Sequence, residues 1–296
     1  MFAWKRPRLG LLFVGGTALS GSAILSHGIR EAAEVRPWMT AAGEINMIAD
    51  LDPIFISPLG TTATPAIWEK IATVIHEHGD EYDGIVVLHE PTTAAMTAIA
   101  LSAIVQSTGI PIVITPGREH GEEGGRANLI NALQTATIDL AGVVFLDGVK
   151  IFHAASLTNS RLGLDGHVIG RIDFGIRLSK HEKRSTKVLR LIRHLEPRVA
   201  IVSFPPFGSP LIPPRVRGVV FSLDPLAPPS DASWRAVRIP SNVAVVVVGG
   251  PAPKVPPNIL TIMSPARTAA IQLMVALGER PHAWRTTLKS MNSSPT

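Results

Sequence analysis

Short apolar runs alternate with amphipathic stretches along the first ~175 residues. "LGLLFV" (9–14) has the uninterrupted apolar pattern of a buried strand. "TPAIWEKIATVIHEHG" (64–79) places apolar residues at helical spacing between a Thr-Pro start and a Gly end, which predicts a capped helix. "YDGIVVLHE" (82–90) predicts a strand, "TTAAMTAIALSAIVQSTG" (92–109) a long Ala-rich helix, and "IPIVITPG" (110–117) a strand stopped by Pro-Gly. "ANLINALQTATI" (127–138) predicts a helix. "AGVVFLDGVKI" (141–151) predicts a strand turning at Asp147-Gly148 into a hairpin. Strands separated by helices imply an α/β domain, with a mainly parallel sheet covered by helices on both faces. Ligands of such sheets sit at the C-terminal ends of the strands.

After ~175 the texture changes. A charged stretch (180–198) precedes "RVAIVSF" (198–204), Pro-rich loops, and the strand patterns "GVVFSL" (218–223) and "VAVVVVGG" (243–250). A last helix is predicted over "SPARTAAIQLMVALG" (264–278), between Ser-Pro and Gly. The expected organisation is a large N-terminal domain (1–179), a linker (180–197), a smaller C-terminal α/β domain (198–280) and a mobile tail (281–296). Prolines 210, 213 and 214 break any helix in "SPLIPPRVRG" (209–218).

Composition narrows the function classes. The chain has 296 residues, 46% of them hydrophobic, which is globular and large enough for a sizeable core. It has no cysteine, so disulfide and thiolate chemistry are excluded. No apolar run reaches the ~18–20 residues of a membrane helix. The net charge of +5 raises the question of nucleic acid, but the densest basic stretch, "KHEKRSTKVLRLIRH" (180–194), has no aromatic residue to stack on bases and reads as a solvated linker or helix face. "HEHGDE" (76–81) lacks the spacing that puts two metal ligands on one helix face. "FVGGTALSG" (13–21) lacks the Gly-x-Gly-x-x-Gly of a dinucleotide site. No metal or other cofactor is expected.

Five motifs in order resemble the bacterial-type L-asparaginase family, a group of threonine-nucleophile amidohydrolases. They are Val14-Gly15-Gly16-Thr17-Ala18 after the first strand; Asp83-Gly84 followed by "IVVL" and His89-Glu90-Pro91-Thr92-Thr93; and Gly124-Gly125-Arg126-Ala127-Asn128-Leu129-Ile130-Asn131-Ala132. The fourth is "GVVFLDGVKIFHAASLTNSR" (142–161), and the last is the final helix, where the family's Lys and Arg are lost. The resemblance spans most of the chain. It implies hydrolysis of the side-chain amide of L-asparagine, and often L-glutamine, through an acyl-enzyme on a threonine. It also places "LGLLFVGGTALSG" (9–21) as first strand and nucleophile turn. The rival reading of that segment is a secretory leader: a basic flank, an apolar run and the small residues "SGSA" (20–23). The family reading implies a cytoplasmic protein that takes a small-molecule substrate, an amino-acid amide, and forms a homodimer.

Residue by residue, the resemblance carries over incompletely. Thr17 stands at the nucleophile position. Pro91 stands at the family's second threonine, Thr92 at its aspartate and Asn159 at its lysine. The family's loop tyrosine would fall between 18 and 45, yet Tyr82 is the chain's single tyrosine. Gly60-Thr61 fall at the pair that holds the substrate's α-carboxylate, and Gly16, Gly60, Thr61 and Pro91 are the expected substrate-binding positions. A threonine hydroxyl needs a base to take its proton. The charged groups that serve it in the family are replaced here, so activity is expected to be weak, altered or lost. Glu90, at a family glycine, is either a substitute base or ammonium ligand, or a solvent-facing rim residue. His89 is a strand-end support or a base, and Arg118 a structural ion-pair partner or an anion site. Thr93 is expected to cap the following helix. Two alternatives accompany the hydrolase reading: a non-catalytic homologue that binds a ligand or partner, and a component associated with an amidotransferase.

Overall fold

The computed structural model describes residues 6–15, 29–58, 60–117, 122–160, 163–179, 181–205, 208–249, 255 and 259–293. Two compact units divide it, Met1–Leu191 and Ile192–Thr296. The first unit runs β1 (Arg8–Val14), α1 (Val35–Ala41), β2 (Asp50–Ser57), α2 (Pro65–His78), β3 (Gly84–His89), α3 (Pro91–Ile104), β4 (Val105–Ser107), β5 (Pro111–Pro116) and α4 (Glu122–Thr137). It continues through β6 (Gly142–Asp147), β7 (Lys150–His153), β8 (Thr158–Ser160), β9 (Gly163–Asp165), β10 (Val168–Ile172), β11 (Ile176–Leu178) and β12 (Arg190–Leu191).

Eight strands form one sheet in the order β11-β10-β7-β6-β5-β3-β1-β2. From β6 to β2 every neighbour is parallel, and β7, β10 and β11 extend the sheet antiparallel. β1 and β3 are buried on both faces apart from the first residue of β1, as expected of central parallel strands covered by helices. On one face Leu9, Leu11 and Phe13 pack with Trp38 of α1 and with Leu129, Leu133 and Ala136 of α4. Phe13 meets Trp38 edge to face at 5.4 Å between ring centres. The other face carries α2 and α3.

The chain steps from β1 outward to β2 and then returns to the far side of β1 to form β3. That reversal is a topological switch point, and it opens a crevice between the C-terminal ends of β1 and β3.

Three sequence expectations change. The helix predicted over 92–109 ends at Ile104, because Val105–Ser107 leave it to pair antiparallel with Arg190–Leu191. The boundary falls after Leu191, so the expected linker is split and its first part packs on the first unit. Ser185 N donates to Gly109 O at 3.1 Å. The Arg184 guanidinium donates to Ala136 O and Ile138 O, both at 2.7 Å, and to Asp83 O, closing the carbonyl end of α4. The expected mobile tail carries a helix, Trp284–Ser293, whose Leu288 is fully buried.

The second unit is a four-stranded parallel sheet, β13 (Val199–Ser203), β14 (Gly218–Ser222), β15 (Ala244–Val248) and β16 (Leu260–Thr261), in sequence order. Its helices are α5 (Asp231–Ala236), α6 (Ala266–Glu279) and α7 (Trp284–Ser293). Alternation along the strands separates two cores. Val220 and Val246 pack with Leu273 and Ala276 of α6, and Phe221, Val245 and Val247 pack with Phe204 and Trp234. Residues 209–217 form no helix. Among the described residues no helix is long and apolar enough to cross a membrane.

Candidate active site

The strand ends at the switch point are tied together by backbone hydrogen bonds. Gly15 N donates to both the carbonyl (3.3 Å) and the hydroxyl (3.1 Å) of Ser57, which ends β2 and is buried. Gly60 N donates to Gly15 O at 3.2 Å, Glu90 N to Val14 O at 3.0 Å and Gly117 N to His89 O at 2.9 Å. Thr61 N closes a turn on Pro58 O at 3.2 Å. Gly15 and Gly60 both adopt φ = 79°, a conformation that favours glycine. A β-carbon on Gly15 would stand 2.6 Å from Glu90 Cβ and 3.4 Å from Thr61 O. Gly15, Thr61 and Glu90 therefore share one small space at the ends of β1, β2 and β3.

Glu90 is the N-cap of α3. Its carboxylate accepts from Thr92 N (2.7 Å), Thr92 Oγ1 (2.7 Å) and Thr93 Oγ1 (3.0 Å). Partial burial pushes its pKa up, but these hydrogen bonds outweigh burial and hold the carboxyl below its ordinary value. The positive end of the helix favours the same charge. Pro91 takes the first helical position, where its missing N–H leaves no bond unmade. The capping role expected of Thr93 thus belongs to Glu90, and Thr93 instead donates its hydroxyl to that cap.

His89 is fully buried and points into the layer of α2 and α3. Trp68 Nε1 donates to Thr97 Oγ1 at 3.1 Å, Thr97 Oγ1 lies 2.8 Å from His89 Nε2, and His89 Nδ1 lies 2.8 Å from Glu90 O. A carbonyl can only accept, so Nδ1 carries the proton and Nε2 accepts from the threonine hydroxyl. Burial lowers the His89 pKa, which keeps this ring neutral. With both nitrogens engaged, His89 supports the strand end and has no lone pair to offer as a base.

Gly16, Thr17 and Arg118 lie outside the described residues. Asn159 lies in β8, its backbone paired with Leu164. Tyr82 precedes β3, at the opposite end of that strand from Glu90, and donates to Asp52 Oδ2 at 2.9 Å. Burial and the Asp52 carboxylate push its pKa up to about 12. Asn128 and Asn131, from the third motif, act as clamps. Asn128 Nδ2 donates to Pro116 O at 3.2 Å and its Oδ1 accepts from Gly148 N at 2.9 Å, while Asn131 Nδ2 donates to Gly148 O at 3.0 Å. They fix α4 against the end of β5 and the β6–β7 hairpin. In "HEHGDE", His78 Nδ1 lies 2.9 Å from Glu81 Oε1, and among the described residues no group of three or more His, Asp and Glu is placed to share a metal ion. Sequence reading missed Ser57, because the polar, Pro-containing "DLDPIFIS" of β2 gives no clear strand signal.

Residues 8–161 match the family model described as "Asparaginase, N-terminal". The chain is 27% identical to a glutamyl-tRNA(Gln) amidotransferase subunit of Methanosarcina barkeri over 232 residues, 70% of this chain and 54% of that protein. It is 42% identical to L-asparaginase 1 of Escherichia coli K12 over 76 residues, 25% of this chain and 22% of that one. The chain thus spans about half, or less, of the length of these curated relatives. Its fold is similar to that of L-asparaginase I from Vibrio cholerae, with a TM-score of 0.75, 19% identity and 98% coverage of both chains.

Proposed function

The chain belongs to the asparaginase family, and from that premise we propose that its site, at the β1/β3 switch point, takes an amino-acid amide, with Thr17 as nucleophile and a weakened hydrolytic apparatus. In such a reaction the Thr17 hydroxyl attacks the amide carbon, ammonia departs, and water cleaves the ester left on Thr17. The hydroxyl proton needs an acceptor, and a positioned base is worth roughly 10²–10⁴ in rate. The positions that would provide it hold Pro91, Thr92 and Asn159, none of which ionises.

The observation that carries this reading is the engagement of Glu90. It is a carboxylate beside Gly15, yet three hydrogen bonds hold its pKa below the ordinary value. A base works best with a pKa near the operating pH. Glu90 is therefore suited to hold a substrate ammonium, in place of the charge absent from Thr92, and poorly suited to take the Thr17 proton. The experiment is ammonia release from L-asparagine and L-glutamine by the purified chain and by Thr17→Ala. Slow release that vanishes in the variant supports the proposal. Release that survives Thr17→Ala refutes the nucleophile.

A second reading rests on the match to the amidotransferase component over 70% of this chain: the protein acts with a partner, or binds its ligand without turnover. Binding of L-asparagine with no release, lost in Glu90→Gln, would favour it. We further propose a homodimer, which light scattering at micromolar concentration would overturn by returning a monomer mass.

A further inference from the structure

A cleft of about 430 Å³ opens in the second unit, between the loop ahead of β14 and the segment from α5 to β15. Small-molecule sites span roughly 300–1,000 Å³. Arg215 and Arg238 both line this cleft together with Asn242, and no acidic residue lines it among the described residues. Neither arginine has an ion-pair or hydrogen-bonding partner among the described residues. Elsewhere on this unit an arginine is matched: Arg198 pairs with Glu196 at 2.7 Å.

The rest of the lining fits a ligand with an apolar body. Pro210, Pro213, Pro214 and Pro240 line it together with Val216 and Val243, among other apolar side chains. Proline has a fixed φ and no N–H, so these residues give stiff walls without competing donors. Arg215 is the one described non-glycine residue with positive φ, at 64°. Its loop holds the guanidinium-bearing residue in a conformation that side chains with a β-carbon disfavour. Both arginines are exposed at the cleft, open to an incoming anion, and guanidinium matches the planar, two-oxygen geometry of a carboxylate.

We propose that this cleft binds a small organic carboxylate, its anionic group held by Arg215 and Arg238 and its apolar body against the prolines. The inference is independent of the amide reading and concerns the second unit alone. The test is calorimetric titration of the full chain with benzoate at low ionic strength, with inorganic phosphate as the control. Benzoate should bind with a Kd of about 1 mM, the range open to a ligand of that size. Arg215→Gly, which glycine's tolerance of positive φ makes safe for the fold, and Arg238→Gln should each weaken it about tenfold or more, the loss of one charged contact. Phosphate, which cannot use the apolar walls, should bind more weakly than benzoate. No benzoate binding at about 10 mM, undiminished binding in either variant, or phosphate binding as tightly as benzoate overturns the proposal.

Discussion

Replacing Gly15 with alanine isolates the contact that holds the β1 and β3 ends together. Two costs arise. The first is backbone strain: a β-carbon at φ = 79° costs about 1–2 kcal/mol. The second is steric. The new carbon would lie 2.6 Å from Glu90 Cβ, which is fixed to the backbone and cannot rotate away, and 3.4 Å from Thr61 O. Forcing such a shift costs about 1–3 kcal/mol. Gly60 supplies the control, since it has the same φ of 79° but a β-carbon there would meet nothing within 4 Å. Gly15→Ala should therefore lose about 2–5 kcal/mol and Gly60→Ala about 1–2 kcal/mol. At roughly 2–4 °C per kcal/mol, the extra ~1–3 kcal/mol should make Gly15→Ala melt about 2–12 °C below Gly60→Ala. Thermal unfolding of both variants by circular dichroism measures the gap. Melting within about 1 °C of each other would show that Gly15 and Glu90 are not in contact.

Three other perturbations test the supports of the site. Thr97→Val should cost about 2–5 kcal/mol in urea unfolding, because Trp68 Nε1 and His89 Nε2 both lose their buried partner; Thr97→Ser should recover most of it. Glu90→Gln should be less stable than the parent by about 1 kcal/mol at pH 7, as an N-cap loss. Because the folded Glu90 pKa lies below the ordinary 4.5, its contribution is present above that value and fades as pH falls through the folded pKa, so the two curves should converge in acid. Arg184→Ala should cost about 1–3 kcal/mol by taking the guanidinium from the Ala136 carbonyl, while the Ile138 carbonyl keeps Leu140 N at 2.8 Å, and Arg184→Lys should not restore it, since an ammonium lacks the guanidinium fork.

The central strands were legible because a parallel sheet buries both faces, which leaves uninterrupted apolar runs at β1, β3 and β5. β2 is half-exposed at the sheet edge, and its two aspartates and proline hide it. The early end of α3 depends on pairing with Arg190–Leu191, more than 80 residues away, which local periodicity does not register. In the site, Pro91 was a usable signal: a proline at the first helical position marks the preceding residue as N-cap, which assigns Glu90 its place. The direction of His89 could not be read, because it depends on Trp68 and Thr97 on two separate helices. Arg184 looked like one charge in a basic run, and its role as a helix cap exists only once α4 is folded against it.

On the proposed reading, the family frame keeps its strand ends while Pro91, Thr92 and Asn159 stand at the positions of its proton-transfer groups. The most direct measurement is ammonia release from L-asparagine by the parent chain beside the triple variant Pro91→Thr, Thr92→Asp, Asn159→Lys. The triple variant should gain about 10²-fold or more in rate, the value of a positioned base, and adding Thr17→Ala should abolish the gain. An unchanged rate in the triple variant, or a gain that persists without Thr17, would contradict that reading.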